Sequence, residues 1–307
     1  GWVRGPVNAT PRRGLAAIVK GMTAIAMGNA GAARSHAAQA DRLLGTGPLT
    51  LLLRAQAAQL AGEEAGARDH YAAMTALPDG ELLGIRGLLG QALQRGDVEE
   101  ARRLLVRAGQ LSPKSRWVNQ TRFALECSVG DWAAANQALG NSHKSRLIGK
   151  AEYDRSRGVL ALVAGQEADA AGQHATALEH ALEAVKHAPA LAPASALAAR
   201  LLAGEGKTRR AAKLIEAAWQ HSPHPELAAI YAELEPGESA MQRQTRFGKL
   251  AAINPEHPES RSLRALRWQD GPLTATPAMW ICAACNRRDA EWRAICPECG
   301  GFDTAHW

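Results

Sequence analysis

The chain has 307 residues, 46% of them hydrophobic, which suits two domains or one extended repeat array and excludes disorder. Ala and Leu dominate the apolar content, with only three Phe and three Tyr, so composition favours an all-helical body over a sheet. Lys and Arg outnumber Asp and Glu by 36 to 30, too mild an excess to require nucleic acid or an anionic surface.

The chain opens at Gly1 inside a continuing helical pattern. That start predicts a piece of a longer protein, with room ahead of it for a membrane anchor. Within the sequence itself there is no run of about 18 apolar residues and no signal peptide.

A shift of 34 residues brings Gly28, Gly62, Gly96 and Gly130 into register, followed five positions later by Ala33, Ala67, Ala101 and Ala135. After an insertion of eight residues the rule resumes with Gly172 and Gly206, Ala177 and Ala211, Ala184 and Ala218, and Pro189 and Pro223. This is the period of a tetratricopeptide array. Each glycine marks a left-handed turn between two helices, and each alanine a close crossing of the pair. A further small position recurs at Ala40, Ala108, Ala184 and Ala218, and Tyr71, Leu105 and Ile215 fill the seam between.

Helix pairs are therefore expected over 12–45, 48–78, 81–113, 115–140, 150–189, 191–223 and 225–255. A loop at 140–146 resets the register and is expected to bend the array, and 256–268 is read as a capping helix. The whole solenoid covers 1–268, with a linker over 269–279. The first helix of every pair lines the inner wall of such an array, the usual seat of a bound peptide. Polar candidates on that wall are Gln56, Gln59, Arg86, Gln120 and Arg200.

Residues 280–307 carry the distinctive chemistry, as Cys282-Ala-Ala-Cys285 and Cys296-Pro-Glu-Cys299. Two such turns aim four thiolates at one point, a closed tetrahedral site for zinc or, less often, iron. With every ligand a cysteine there is no open position for catalysis. So small a module cannot support its own core, and the metal must supply most of its folding free energy. Asn286 and Gly300 fall where a positive φ is wanted after each knuckle, and Trp280, Trp292, Phe302 and Trp307 are expected to pack about the sulfurs and dock the tip on the helices. Three basic against four acidic side chains in this stretch exclude nucleic acid as a partner. Cys127, alone in a helical stretch, reads as a small buried hydrophobe.

Gly206-Lys207-Thr208 imitates a phosphate loop but lacks its earlier glycine, and it falls on the repeat turn. Cys296-Pro297 imitates a haem-regulatory dipeptide whose sulfur the knuckle already uses. No nucleophile elbow, catalytic carboxylate pair or dinucleotide fingerprint is present, so the chain reads as not an enzyme. His143, His174 and His257 would be the iron ligands of a direct haem or porphyrin carrier, an alternative function.

Arg42-Leu-Leu-Gly45, the run from Pro48 to Leu60, the run from Leu191 to Leu202 and the run from Ala217 to Leu227 together resemble the HemY family of bacterial tetratricopeptide proteins, linked by name to haem biosynthesis. The tail, with its cysteine pairs, Gly300, Phe302, Asp303 and final Trp307, is similar to that of one branch of the family. The resemblance implies a scaffold held at the inner membrane by an N-terminal anchor, with its repeats in the cytoplasm, organising late haem or porphyrin synthesis with its enzymes as partners. In architecture the chain also resembles LapB, which joins such repeats to a rubredoxin-like unit and acts as an adaptor in lipopolysaccharide regulation.

Overall fold

The structure, a computed structural model, describes residues 9–265 and 279–307. Fifteen helices are present among them: α1 Ala9–Ala26, α2 Ala30–Leu44, α3 Pro48–Leu60, α4 Glu64–Thr75, α5 Glu81–Gln94, α6 Val98–Leu111, α7 Arg116–Ser128, α8 Trp132–Lys144, α9 Lys150–Ala170, α10 His174–His187, α11 Ala192–Gly204, α12 Thr208–His221, α13 Pro225–Glu233, α14 Ala240–Ile253 and α15 Pro258–Ala265. Three short strands follow, β1 Trp280–Cys282, β2 Arg288–Asp289 and β3 Ala305–His306, paired antiparallel in the order β2-β1-β3. The expected linker segment 269–278 and the end of the expected capping helix, 266–268, lie outside the described residues.

The fold is the tetratricopeptide-like solenoid that the 34-residue period predicts. Helices pack on their neighbours in sequence, as α1 does on α2, α3 on α4 and α9 on α10, and, where the pairs stack, on the next but one, as α1 does with α3 and α11 with α13. Six turn glycines, Gly28, Gly62, Gly96, Gly130, Gly172 and Gly206, sit at φ between 69° and 76°. There the glycine N–H reaches back to close the first helix, and the next residue's N–H bonds a carbonyl five positions earlier, as Asp97 does to Ala92 at 2.9 Å. That next residue often opens the second helix too: the side chains of Asn29, Asp97 and Asp131 accept from Ala32, Glu100 and Ala134 N–H. Gly206-Lys207-Thr208 is one of these turns, with Thr208 the first residue of α12.

The small residues are where close crossing requires them. Ala33, Ala67, Ala101, Ala135, Ala177 and Ala211 have no exposed surface at all. Cys127 is buried beside Ala135, Leu139 and Leu160, and burial, with Glu126 nearby, pushes its thiol up to about 12.

One expectation fails. Residues 140–144 are not loop but the last turn of α8, which runs to Lys144. The Ser142 hydroxyl donates to the Ala138 carbonyl within the helix at 3.0 Å, and the His143 ring stacks on Tyr153 of α9 at 4.3 Å, so side chains that look like loop residues are held in a helical turn. The turn is confined to 145–149, with Arg146 at φ 57°, and α9 absorbs the insertion by running 21 residues.

Contacts divide the chain into two compact units, Gly1–Arg122 and Phe123–Trp307. In the second unit one hydrophobic core runs from Val159 and Leu162 through α11 and α12 to Phe247, Leu250 and Leu263, and takes in Trp280, Trp292 and Ala294 of the C-terminal module. No helix among the described residues is long and apolar enough to cross a membrane.

Candidate metal centre

The two knuckles are built alike. In the first, the Cys282 N–H bonds the Arg287 carbonyl and the Asn286 N–H the Cys282 carbonyl, both at 2.8 Å; in the second, Cys296 and Gly300 make the same pair at 2.9 and 2.8 Å. Such a tight loop needs a left-handed residue at its close, and Asn286 (φ 60°) and Gly300 (φ 68°) supply it. The four sulfurs of Cys282, Cys285, Cys296 and Cys299 all lie within 4.8 Å of one another. Cys282 and Cys299 are 3.7 Å apart, and Cys285 and Cys296 3.6 Å. Ligand bonds of about 2.3 Å around a tetrahedral ion set sulfurs about 3.8 Å apart, the spacing at which these two pairs stand, so the cluster could hold one metal ion.

The sulfurs are electrostatically unequal. The Thr304 hydroxyl, 3.2 Å from the Cys282 sulfur, favours the thiolate and brings the Cys282 thiol down to about 6. The N–H groups of Cys299 and Glu298 act likewise on Cys296. Cys285 has the Arg287 N–H in its favour, yet burial and hydrogen bonds to the neighbouring sulfurs outweigh it and push it up to about 12. Four thiols this close cannot all ionise alone, whereas a bound cation would let them.

The module folds back onto the helices of the second unit at two places. Asp303 stands at φ 50°, which turns its carboxylate onto Arg155 of α9 in a bidentate pair of 2.7 and 2.8 Å. Beside it the Phe302 ring meets Phe123 of α7 edge-on at 5.0 Å. At the other end His224, the N-cap of α13, is stacked on Trp280 at 5.2 Å and meets Trp307 edge-on at 4.7 Å. Burial lowers the imidazole to about 4, so the ring is neutral, and its Nδ1 accepts from the Glu226 N–H at 3.2 Å. Trp280, Phe302 and Trp307 thus face the helices, and Trp292 belongs to the same hydrophobic cluster as Trp280. Asp303 and His224 escape sequence reasoning, because each acquires its role from a partner far along the chain.

The expected wall residues fall on first helices. In the first unit Gln59 accepts from the Tyr71 hydroxyl at 2.6 Å, Arg86 lies over the Trp117 ring at 5.1 Å, Gln56 is half-buried and Gln120 exposed. In the second, Arg200 is tied to Glu226 at 2.7 Å. What sequence reasoning overlooked is the apolar row between them. Thirteen residues ahead of each turn glycine stand Leu15, Leu49, Leu83 and Trp117, and the three leucines are 53%, 56% and 40% exposed. The same repeat position in the second unit holds Val159, Pro193 and, one period on, Leu227, all buried.

His143, His174 and His257 do not converge. His143 stacks on Tyr153, His174 Nδ1 lies 3.0 Å from Asp169, and His257 accepts from the Glu259 N–H. Among the described residues, the four cysteines are the group whose ligand atoms could hold an ion.

Residues 7–62 match the family model described as HemY protein N-terminus. "Probable magnetosome protein Mms48" of Magnetospirillum gryphiswaldense is 24% identical over 235 residues, 60% of this chain and 52% of that protein, so the chain spans about half the length of this curated relative. Among solved structures, Naa15/Naa10 bound to HypK-THB shares the fold at a TM-score of 0.53, with 18% identity over 85% of this chain and 40% of that one. A tetratricopeptide repeat protein from Parabacteroides merdae, with 15% identity and a TM-score of 0.42, covers 84% of this chain and 100% of its own.

Proposed function

We propose that the HemY N-terminal domain at residues 7–62 begins a non-enzymatic scaffold, which holds partner proteins along its first-helix walls and organises late haem or porphyrin synthesis at the cytoplasmic face of the inner membrane. The observation that carries the binding role is the row of Leu15, Leu49 and Leu83, exposed in register on successive first helices of the first unit and continued by Trp117. Repetition at one position lines up an apolar seam, which is how a repeat protein receives an apolar or amphipathic segment. The metabolic setting rests on the family name alone. The ion assigned to Cys282, Cys285, Cys296 and Cys299 is zinc in a structural role, and iron fits the same sulfurs.

A second reading, an envelope adaptor like LapB, has the docked four-cysteine module in its favour. Affinity capture from membranes with the full-length protein separates the two. Recovery of a porphyrin or haem enzyme, lost with Leu49→Glu and Leu83→Glu, supports the first; recovery of a lipopolysaccharide-pathway protein supports the second. For a direct haem carrier, haemin titration would give a saturable Soret shift at one equivalent, abolished by one His→Ala change.

A further inference from the structure

We propose that the four-cysteine module is a metal-dependent plug, closing in cis a second partner-binding wall on the first helices of the second unit. The purpose of that wall rests on the scaffold reading; its closure rests on separate observations. Positions that are open on α1, α3 and α5 are shut on α9, α11 and α13. Val159, Leu162, Ala196 and Leu227 have no more than trace exposure, and α11 is buried on every side from Ala192 to Ala199. A first helix in a bare array keeps one face in water.

The covering element is identified by what stands one turn away. Arg155, which holds Asp303, precedes Val159 by four residues and so shares its face of α9. His224, held by Trp280 and Trp307, stands three residues before Leu227. The covered rows and the module's Trp280, Trp292 and Ala294 belong to one hydrophobic cluster. Farther along the same helices, Gln166 and Arg200 stay exposed, so the plug covers only the N-terminal part of the wall.

The latch is controlled by the cysteines because its contacts adjoin them. Trp280 precedes Cys282 by two residues, and Phe302 and Asp303 follow Cys299 directly after the turn at Gly300. Without an ion, a module this small does not keep its fold, and the spacing between the two latches goes with it. The seam beneath is made by Ala177, Ala181 and Ala184 of α10 and Ala211 and Ile215 of α12, small and branched residues set by the repeat itself. The occupant also defines the partner class: a segment with an aromatic ring next to a carboxylate, matched to Phe123 and Arg155.

The test uses the full chain loaded with Zn²⁺, the same chain stripped by a chelator, and Cys285→Ser. Hydrogen exchange is followed over 155–163, 192–199 and 225–231, alongside far-ultraviolet circular dichroism and binding of a peptide copying residues 300–307. Stripping is expected to speed exchange in those stretches at least tenfold with helicity retained, to admit the peptide, and to reverse when Zn²⁺ returns. Asp303→Ala should raise exchange near Arg155 while keeping one Zn²⁺ per chain. Unchanged protection after metal loss, or melting of α9 to α13 with the module, would overturn the plug. An opened wall that ignores the peptide would overturn the partner class. None of these outcomes bears on partner capture by the first unit, which is read with Leu49 and Leu83 variants instead.

Discussion

His224 shows what a single residue is asked to do here. The site wants a flat, uncharged ring between two tryptophans, and burial holds the imidazole to about 4 against an ordinary 6.5. A depressed histidine leaves its stabilising contribution intact above about pH 6.5 and loses it as pH falls toward 4, by up to roughly 3 kcal/mol. Urea midpoints measured across that window should therefore fall more steeply for the native chain than for His224→Phe, which retains the cysteines and hence any acid release of metal. Parallel slopes would remove His224 from the account. Gly158 makes a steric case of the same kind: a methyl there would stand 2.5 Å from the Ala188 Cβ and 3.1 Å from the Ala184 carbonyl. Gly158→Ala should gain about 1 kcal/mol of helix propensity but cost about 1–3 kcal/mol in overpacking, a net loss visible as a lowered Tm. An unchanged or higher Tm would mean that α9 and α10 shift apart freely.

At the scale of elements, the knuckle pair was legible because a Cys-x-x-Cys turn is a local object: spacing, ligand type and the positive φ of Asn286 and Gly300 all reside within a few residues. Replacing Cys282 or Cys299 by Ser should abolish stoichiometric zinc, read by mass spectrometry under native conditions, and leave most far-ultraviolet ellipticity in place. Where the module sits was not legible. The ion pair between Arg155 and Asp303 joins positions 148 apart in sequence, and before folding Asp303 is one acid among several. A double-mutant cycle on this pair should give a coupling of about 1–3 kcal/mol, and a coupling near zero would make Phe302 on Phe123 the whole of that contact. The loop expected at 140–146 was misjudged for a related reason. Gly140, Asn141, Ser142 and His143 have weak helix propensity, which Ser142 bonding to Ala138 and His143 stacking on Tyr153 override.

For the whole molecule, repetition does most of the specifying. A glycine every 34 residues sets a left-handed turn and an alanine five residues on sets a close crossing, and both constraints are satisfied between near neighbours in sequence. Those local demands suffice to determine helices, their pairing and their stacking, and the cysteines suffice to place a sulfur cluster. Double substitution of Leu49 and Leu83 by Glu should consequently leave stability within about 1 kcal/mol of native while weakening partner capture, since both side chains reach solvent, Leu49 more than Leu83. Loss of folding in that variant would show that the row is core and not binding surface. Which stretch of first-helix wall is open and which is covered had to await the tertiary structure. Leu15, Leu49 and Leu83 look no different in sequence from Val159 and Leu227, and the two sets separate only in the folded chain, where Val159 and Leu227 join one hydrophobic cluster with Trp280, Trp292 and Ala294, because burial is decided by what arrives from elsewhere in the chain.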